Sequence, residues 1–150
     1  METFDDTAHH PHPCDADFAD AYSRAWTSQP LQLLDFFTPD GSYTDVAMGA
    51  TYNGREEIAQ FHRWMLKFAP DSAIDFSDAC AAGGRLYLQW VWSGTFGGAR
   101  RLPDGSSVES TGANFSVLGV AACGYAADGK LLSHRDYWDL NTVLRQVGAQ

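Results

Sequence analysis

The densest set of chemically useful side chains in the 150-residue sequence lies near its end, in Ser133-His-Arg-Asp-Tyr-Trp-Asp139. Side chains alternate along a β-strand, so a strand here would place His134, Asp136 and Trp138 on one face. A carboxylate that lies beside an indole ring loses water, which favours a role in acid–base chemistry. The alternative is that Asp136 forms an ion pair with a neighbouring arginine at the surface.

A second candidate carboxylate is Asp45, in the short segment Ser42-Tyr-Thr-Asp45. On a strand, Tyr43 and Asp45 share a face, which brings a hydroxyl and a carboxylate together. Carboxyl and phenol groups both transfer protons in enzymes. The alternative is a loop carboxylate that follows a turn.

Motifs for other chemistries are missing from the sequence. It has no nucleophile elbow, phosphate-binding loop, HExxH zinc motif or dinucleotide fingerprint. The three cysteines, Cys14, Cys80 and Cys123, form no closely spaced pair, so reduced thiols in a cytoplasmic protein are expected.

The first 13 residues are predicted to form a flexible tail, because the prolines at positions 11 and 13 cannot continue a helix. Three histidines near Cys14 could chelate a metal, but a solvated arm is favoured because no carboxylate or cysteine pair completes a site. The acidic start lacks an apolar stretch and does not resemble a signal peptide.

Charge narrows the possible partners. Acidic residues outnumber basic residues by 19 to 10, which gives a formal net charge of −9. Such a chain repels nucleic acid and anionic membranes, and no apolar run approaches the roughly 20 residues of a membrane helix. The aromatic content of 13% must therefore line a core, a pocket or an interface.

Hydrophobic periodicity predicts one α+β domain over residues 14–150, with helices first and an antiparallel sheet after them. Helices are expected from Asp15, from Pro30, over Gly54–Phe68 and, for a turn or two, after Asp139 as N-cap. Strands are expected over Ser42–Ala47, Ala73–Ala81, Arg85–Thr95, Val108–Tyr125 and Lys130–Asp139. A sheet covered by helices on one face has a concave side that can hold a pocket.

Three segments, Phe37–Asp45, Tyr52–Ile58 and Asp128–Asp139, resemble the SnoaL-like branch of the nuclear-transport-factor-2-like superfamily. That superfamily includes ketosteroid isomerase, limonene-1,2-epoxide hydrolase and SnoaL-type polyketide cyclases. The resemblance covers roughly residues 15–148. It implies a cone-shaped, curved, mixed and largely antiparallel sheet, with about three N-terminal helices enclosing an apolar pocket. It also implies a homodimer through the outer face of the sheet, where Tyr87, Gln89 and Val91 could meet a partner.

The resemblance assigns roles to four polar residues. Asp136 falls where the epoxide hydrolases and SnoaL-type cyclases place a catalytic aspartate. Asp45 matches the proton-shuttling aspartate of the isomerase, and Tyr43 with Asp45 matches the epoxide hydrolase pair that positions water. Tyr22, on the first helix, lies near the position of the isomerase's oxyanion tyrosine.

Two departures from the family pattern put the epoxide and steroid mechanisms in doubt. Trp90 and Trp92 stand where the epoxide hydrolase has an arginine and a second aspartate. Ala113 stands close to the position of the isomerase's second, protonated acid.

The predicted site is therefore an apolar pocket with a few polar groups, as expected of a small-molecule site. Its predicted catalytic residues are Asp136, Asp45, His134 and Tyr22. Its predicted substrate-binding residues are Tyr43, Trp26, Met65, Trp90, Trp92, Phe115, Val117 and Trp138. Flat indole faces suit a planar, aromatic or polycyclic ligand, although plain core packing of the two tryptophans on the middle strand is the alternative.

Three functions fit this site. The first is a cofactor-independent cyclase or isomerase, in which Asp136 or Asp45 moves a proton alpha to a carbonyl and His134 tunes it. Tyr22 or Tyr43 would then hydrogen-bond the developing enolate oxygen. The second is a non-catalytic ligand-binding or dimerisation domain, and the third is a hydrolase or hydratase that activates water between the two aspartates.

Overall fold

The computed structural model describes residues 10–28 and 30–149 of the chain. The helices in this part of the chain are α1 (Phe18–Ser28), α2 (Pro30–Asp35), α3 (Gly54–Phe68) and α4 (Leu140–Gln146). The strands are β1 (Phe37–Asp45), β2 (Ala50–Asn53), β3 (Ala73–Ala82), β4 (Arg85–Thr95), β5 (Arg100–Arg101), β6 (Ser107–Val108), β7 (Asn114–Tyr125) and β8 (Leu131–Trp138). None of these helices is long and apolar enough to cross a membrane.

Six of these strands form one curved sheet in the order β2-β1-β8-β7-β4-β3. Strands β1 and β8 pair in parallel, and every other neighbouring pair is antiparallel. The predicted α+β class with a mixed, largely antiparallel sheet is therefore confirmed. Strands β5 and β6 form a separate two-stranded hairpin beside this sheet.

The inner face of the sheet carries the core. Along β4, the buried side chains of Leu86, Leu88, Trp90 and Trp92 alternate with more exposed ones, as expected when one face of a sheet is covered. Helix α1 packs against β3 and helix α3 against β1. The buried stripe of α3, which includes Phe61, His62 and Met65, faces this layer.

Several boundaries differ from the predicted ones. The first helix begins at Phe18 rather than at Asp15, and β1 begins at Phe37 rather than at Ser42. The register between β1 and β8 shifts between Phe37 and Ser42, so an irregularity accommodates Pro39-Asp-Gly41 within the strand. At Gly41 an added Cβ would lie 2.9 Å from the carbonyl oxygen of Leu131, so only glycine lets the backbones approach here.

The two ends of the chain can be compared with the predicted tail and the predicted C-terminal helix. Residues 1–9 of the predicted tail lie outside the described residues. His10 to Pro13 are described, and both of the prolines at 11 and 13 are buried, while the ring of His12 packs edge-on against Tyr125. The described residues contain no cluster of His, Cys, Asp and Glu side chains suited to a metal ion. At the other end, Asp139 caps α4 as predicted, accepting from the backbone N–H of Asn141 and the hydroxyl of Thr142.

Candidate active site

A cavity opens between the concave face of the sheet and helices α1 and α3. It contains about 470 Å³ of space free of protein atoms, including its open mouth. The residues that line it are Trp26, Tyr43, Asp45, Phe61, Trp64, Met65, Ile74, Phe76, Trp90, Trp92, Asp136 and Trp138. Its base is narrow, since Asp45, Trp90 and Asp136 there expose only 3–8% of their surface.

Three side chains form hydrogen bonds to Asp136 at this base. The Tyr43 hydroxyl donates to Oδ2 at 2.5 Å. His134 Nε2 lies 2.6 Å from Oδ1, and Trp90 Nε1 donates to the same oxygen at 3.0 Å. The two oxygens of a carboxylate offer about four acceptor positions, so these three bonds leave one position, on Oδ2. Among the ion pairs of the described residues, Asp136 pairs with His134 and with no arginine, so the surface ion pair considered as the alternative is not found there.

A glycine allows Trp90 to reach Asp136. Strand β7 lies between β4, which carries Trp90, and β8, which carries Asp136. Gly119 is the register partner of Trp90 on β7, and a Cβ on this glycine would overlap the Trp90 ring. The indole therefore crosses the middle strand where no side chain obstructs it.

His134 and Tyr22 form a buried layer behind Asp136. The Tyr22 hydroxyl lies 2.8 Å from His134 Nδ1, and both side chains are fully buried and do not line the cavity. Burial lowers the pKa of His134, but Asp136, Tyr22 and Cys123 together raise it by more, so the pKa lies well above its usual value. Burial raises the pKa of Tyr22, although His134 opposes the rise. These two residues hold Asp136 in place, and neither can touch a ligand as an oxyanion donor would.

Asp45 places a second carboxylate next to Asp136. The two residues are register partners on the parallel strands β1 and β8, which lie about 4.8 Å apart. Trp138 Nε1 donates to Asp45 Oδ1 at 2.8 Å, and the backbone N–H of Met48 contacts the same oxygen at 3.3 Å. Burial raises the pKa of Tyr43 well above its usual value, and the charges of Asp136 and Asp45 raise it further.

The remaining indoles complete the apolar walls. Trp92 donates to the Ser72 hydroxyl at 3.0 Å and meets Trp138 edge-to-face, with ring centroids 5.8 Å apart. Trp26 contacts Tyr43 and Phe61. Its Nε1 is the one buried side-chain polar atom without a hydrogen-bond partner among the described residues.

The structure brings most of the predicted site residues together. Asp136, Asp45, Tyr43, Trp26, Met65, Trp90, Trp92 and Trp138 all line the cavity. Two of the predicted substrate-binding residues do not line it, because Phe115 and Val117 are buried in the core. Phe115 lies behind Trp92, with ring centroids 4.6 Å apart, so the larger ring covers it.

Four lining residues were not predicted as site residues: Phe61, Trp64, Ile74 and Phe76. The sequence did hold a signal for each of them. Phe61, Trp64 and Met65 recur at helical spacing on α3, so they share the face that meets the sheet. Ile74 and Phe76 alternate along β3, facing the same side as their partners Trp92 and Trp90 on β4.

Comparisons with known proteins agree with the fold. The model of the SnoaL-like polyketide cyclase family matches residues 16–147, and no curated protein matches the sequence. A hypothetical protein from Catenulispora acidiphila DSM 44928, with a ketosteroid isomerase-like fold and in complex with trimethylamine, is 27% identical. The alignment covers 87% of this chain and 92% of that protein, with a TM-score of 0.73.

Two further solved structures share the fold. IdmH from Streptomyces antibioticus, a candidate polyketide cyclase, is 22% identical, over 86% of this chain and 94% of its own, with a TM-score of 0.67. A candidate SnoaL-like polyketide cyclase from Jannaschia sp. CCS1 is 16% identical, over 95% and 99%, with a TM-score of 0.71. Because the family model spans almost the whole chain, this protein belongs to the SnoaL-like polyketide cyclase family.

Proposed function

We propose that the protein is a cofactor-independent acid–base enzyme that cyclises or isomerises an apolar, carbonyl-bearing small molecule. The observation that carries this proposal is the hydrogen bonding of the Asp136 carboxylate. Three donors fix its carboxylate at the base of an apolar cavity, and Oδ2 keeps one acceptor position. A base held in this way can take a proton from a carbon alpha to a carbonyl without first reorganising.

The residues around Asp136 have different proposed roles in the reaction. Tyr43 lines the cavity and donates its single hydroxyl proton to Asp136 Oδ2 in the resting site. When Asp136 takes up the substrate proton, its carboxylate loses its charge and holds this bond less strongly, so the Tyr43 hydroxyl can turn to donate to the developing enolate oxygen. His134 contacts Asp136 from behind and Tyr22 contacts His134 in turn, so both are positioning residues. Asp45, at the adjacent register position, is the second group through which a proton can return to substrate.

The walls define the substrate class that we propose. Trp26, Trp90, Trp92 and Trp138 present indole rings around the two carboxylates. Ring stacking and edge contacts with such walls favour planar aromatic or polycyclic molecules over flexible aliphatic ones.

The test measures exchange of the protons alpha to the carbonyl of 1-tetralone, a bicyclic ketone, in deuterated buffer by NMR. The wild-type protein is expected to accelerate this exchange. Asp136→Asn should lower the rate about 100-fold or more, which is the usual worth of a general base, and should still bind 1-tetralone by tryptophan fluorescence. Asp75→Asn is the matched control, because Asp75 is exposed on β3 and outside the cavity, and it should exchange like the wild type. Equal exchange rates in the wild type and Asp136→Asn would refute the assignment.

The other two functions give different outcomes in related experiments. Binding of 1-tetralone with no accelerated exchange would favour a ligand-binding domain. Incorporation of ¹⁸O from labelled water into an epoxide or alkene substrate would favour a water-activating enzyme, in which Asp45 and Asp136 hold the water between them.

We also propose that the protein is a homodimer. Tyr87, predicted to face a partner, is 50% exposed on the outer face of the sheet, as are Leu118 at 74% and Val120 at 44%. Gln89, also predicted there, is exposed, while Val91 is half-buried. A contiguous apolar patch of this kind is typical of an interface between subunits.

A further inference from the structure

A second groove adjoins the mouth of the active-site cavity. It contains about 860 Å³ of space, including open solvent, and shares Phe61 and Trp64 with the inner cavity. Its other lining residues are Met48, Ala50, Tyr52, Gln60, Arg101, Leu102 and Pro103. The groove therefore runs from the apolar chamber outwards between α3, β2 and the β5–β6 hairpin.

Arg101 is the only charged side chain among the described residues that line this groove. It is exposed, and it takes part in none of the ion pairs found among the described residues. An arginine fork with open donors matches the two oxygens of a carboxylate. Its position at the rim of an apolar groove suits a ligand that is apolar along most of its length and acidic at one end.

The hairpin that carries Arg101 is fixed in place. Its turn is closed by hydrogen bonds between Leu102 N–H and the Ser106 carbonyl at 2.7 Å and between Gly105 N–H and the Leu102 carbonyl at 2.9 Å. The chain beyond β6 is tied back as well, since Gly112 N–H donates to the Phe96 carbonyl and the Thr111 hydroxyl donates to the Val147 carbonyl. The guanidinium is therefore anchored near the groove by a defined backbone.

The charges at the two ends of the site determine which end of such a ligand enters the inner cavity. The base of the inner cavity holds the carboxylates of Asp45 and Asp136, and the whole chain carries a net charge of −9. A ligand carboxylate is repelled from that base and attracted to Arg101. The inner cavity is also narrow, so a long substrate needs the outer groove for the part that does not fit inside.

We propose that this groove is a substrate-recognition subsite in which Arg101 binds the carboxylate of the substrate, while the substrate's ring and reacting carbonyl occupy the inner cavity. The inference rests on the proposed function for the position of the reacting carbonyl. It adds that the natural substrate is an aromatic or polycyclic carboxylic acid and that Arg101 sets this preference.

The test measures binding, so that it does not depend on turnover. A series of 2-naphthylalkanoates with increasing chain length is titrated against the protein by tryptophan fluorescence, alongside the methyl ester of each acid. The wild type should bind the acid of best-matching length roughly fivefold more tightly than its ester, which is the upper range for an exposed ion pair. This preference should shrink as salt is added.

Variants separate the contribution of Arg101 from net charge. Arg101→Gln should bind the acid and the ester equally, and Arg101→Lys should keep only part of the preference because it lacks the planar fork. Arg85→Gln is the control, since Arg85 is exposed at the start of β4 and outside the groove. It loses the same charge and should keep the wild-type preference.

The results distinguish failure of this inference from failure of the proposed function. Asp136→Asn should abolish 1-tetralone exchange and still prefer the acid over the ester. Equal binding of acid and ester by the wild type, an unchanged preference in Arg101→Gln, or no binding of either compound would each overturn the subsite. A wild type that prefers the acid but shows no exchange would retain the subsite and refute only the proposed chemistry.

Discussion

His134 illustrates how much free energy one buried contact can control. Its imidazole is fully buried and lies 2.6 Å from an Asp136 oxygen. Burying a charged pair costs solvation, and removing one partner leaves the other uncompensated, which typically destabilises a protein by about 3–5 kcal/mol. The intact pair is therefore expected to add little net stability and to act mainly by fixing the position of Asp136, whereas loss of His134 alone is costly.

The raised pKa of His134 predicts a specific pH dependence of stability. A group whose pKa is higher in the folded state contributes stability that is fully present below its unfolded pKa, near 6.5, and that is lost as pH rises through the folded pKa. The free energy of unfolding of the wild type should therefore exceed that of His134→Gln by about 3 kcal/mol near pH 6. The difference should shrink steadily in alkaline solution. Urea unfolding across this range measures it, and a difference that stays constant or grows with pH would contradict the prediction.

His62 provides a control with the opposite sign. Burial lowers its pKa, although a hydrogen bond to the Trp26 carbonyl partly opposes the shift. A His with a lowered folded pKa contributes stability that is present above the unfolded pKa and is lost as pH falls through it. The stability difference between the wild type and His62→Gln should therefore shrink on acidification, which separates the Asp136 partnership from burial alone.

At the residue scale, strand parity was the strongest sequence signal. It placed His134, Asp136 and Trp138 on the inner face correctly, because side chains on a paired strand must alternate. Parity does not reveal depth, however. It could not show that His134 lies behind Asp136, or that Phe115 is hidden by a larger ring. Those outcomes depend on which rings fill the space first, which is a property of packing in three dimensions.

At the scale of elements, β7 controls the site without contributing a polar side chain to it. Gly119 leaves the space through which the Trp90 indole reaches Asp136. Gly119→Ala should push the indole aside, break its hydrogen bond to Asp136 and destabilise the fold by about 1–3 kcal/mol through overpacking. The rate of 1-tetralone exchange should fall along with it. Thermal unfolding and the NMR exchange assay measure the two effects.

Gly124→Ala is the matched control for this substitution. Gly124 lies on the same strand, and an added Cβ would meet the Ser133 hydroxyl oxygen at 3.2 Å and the Gly84 carbonyl oxygen at 3.9 Å, with no overlap of the kind found at Gly119. This variant should change the exchange rate little. If Gly119→Ala and Gly124→Ala reduced exchange equally, the Trp90 bridge would have no specific role.

Elements with a strong period were predicted well, and irregular ones were not. Helix α3 and strand β4 match the predicted bounds, because their apolar residues repeat at the helical and strand spacings. The sequence predicted one strand over Val108–Tyr125, whereas the chain forms the short β6 and then β7 from Asn114. Gly112 between them has a φ of 68°, a conformation that interrupts a strand and that glycine adopts most readily.

At the scale of the whole molecule, the sheet has two faces with different tasks. The inner face encloses the cavity, and the outer face leaves apolar side chains of β4, β7 and β8 in solvent. Tyr87, Leu118, Val120 and Tyr137 each expose 44–74% of their surface there. Burying such a patch against a second copy removes apolar area from water on both subunits at once, because the same surface is used twice around a two-fold axis.

The proposed homodimer predicts a concentration-dependent molecular mass that one substitution should change. Leu118 is the most exposed of the four side chains at 74%, so Leu118→Glu places charges on both copies where they would be buried without partners. The dimer dissociation constant, measured by sedimentation velocity, should rise roughly tenfold or more. Val46→Glu adds the same charge in the turn after β1, where Val46 is 38% exposed, and should leave the dissociation constant unchanged.

A wild type that remains monomeric at every concentration, or a Leu118→Glu variant that associates like the wild type, would contradict a dimer through this face of the sheet. Because the cavity opens on the opposite face of the sheet, the monomeric variant should still bind 1-tetralone, which would separate assembly from the chemistry of the site.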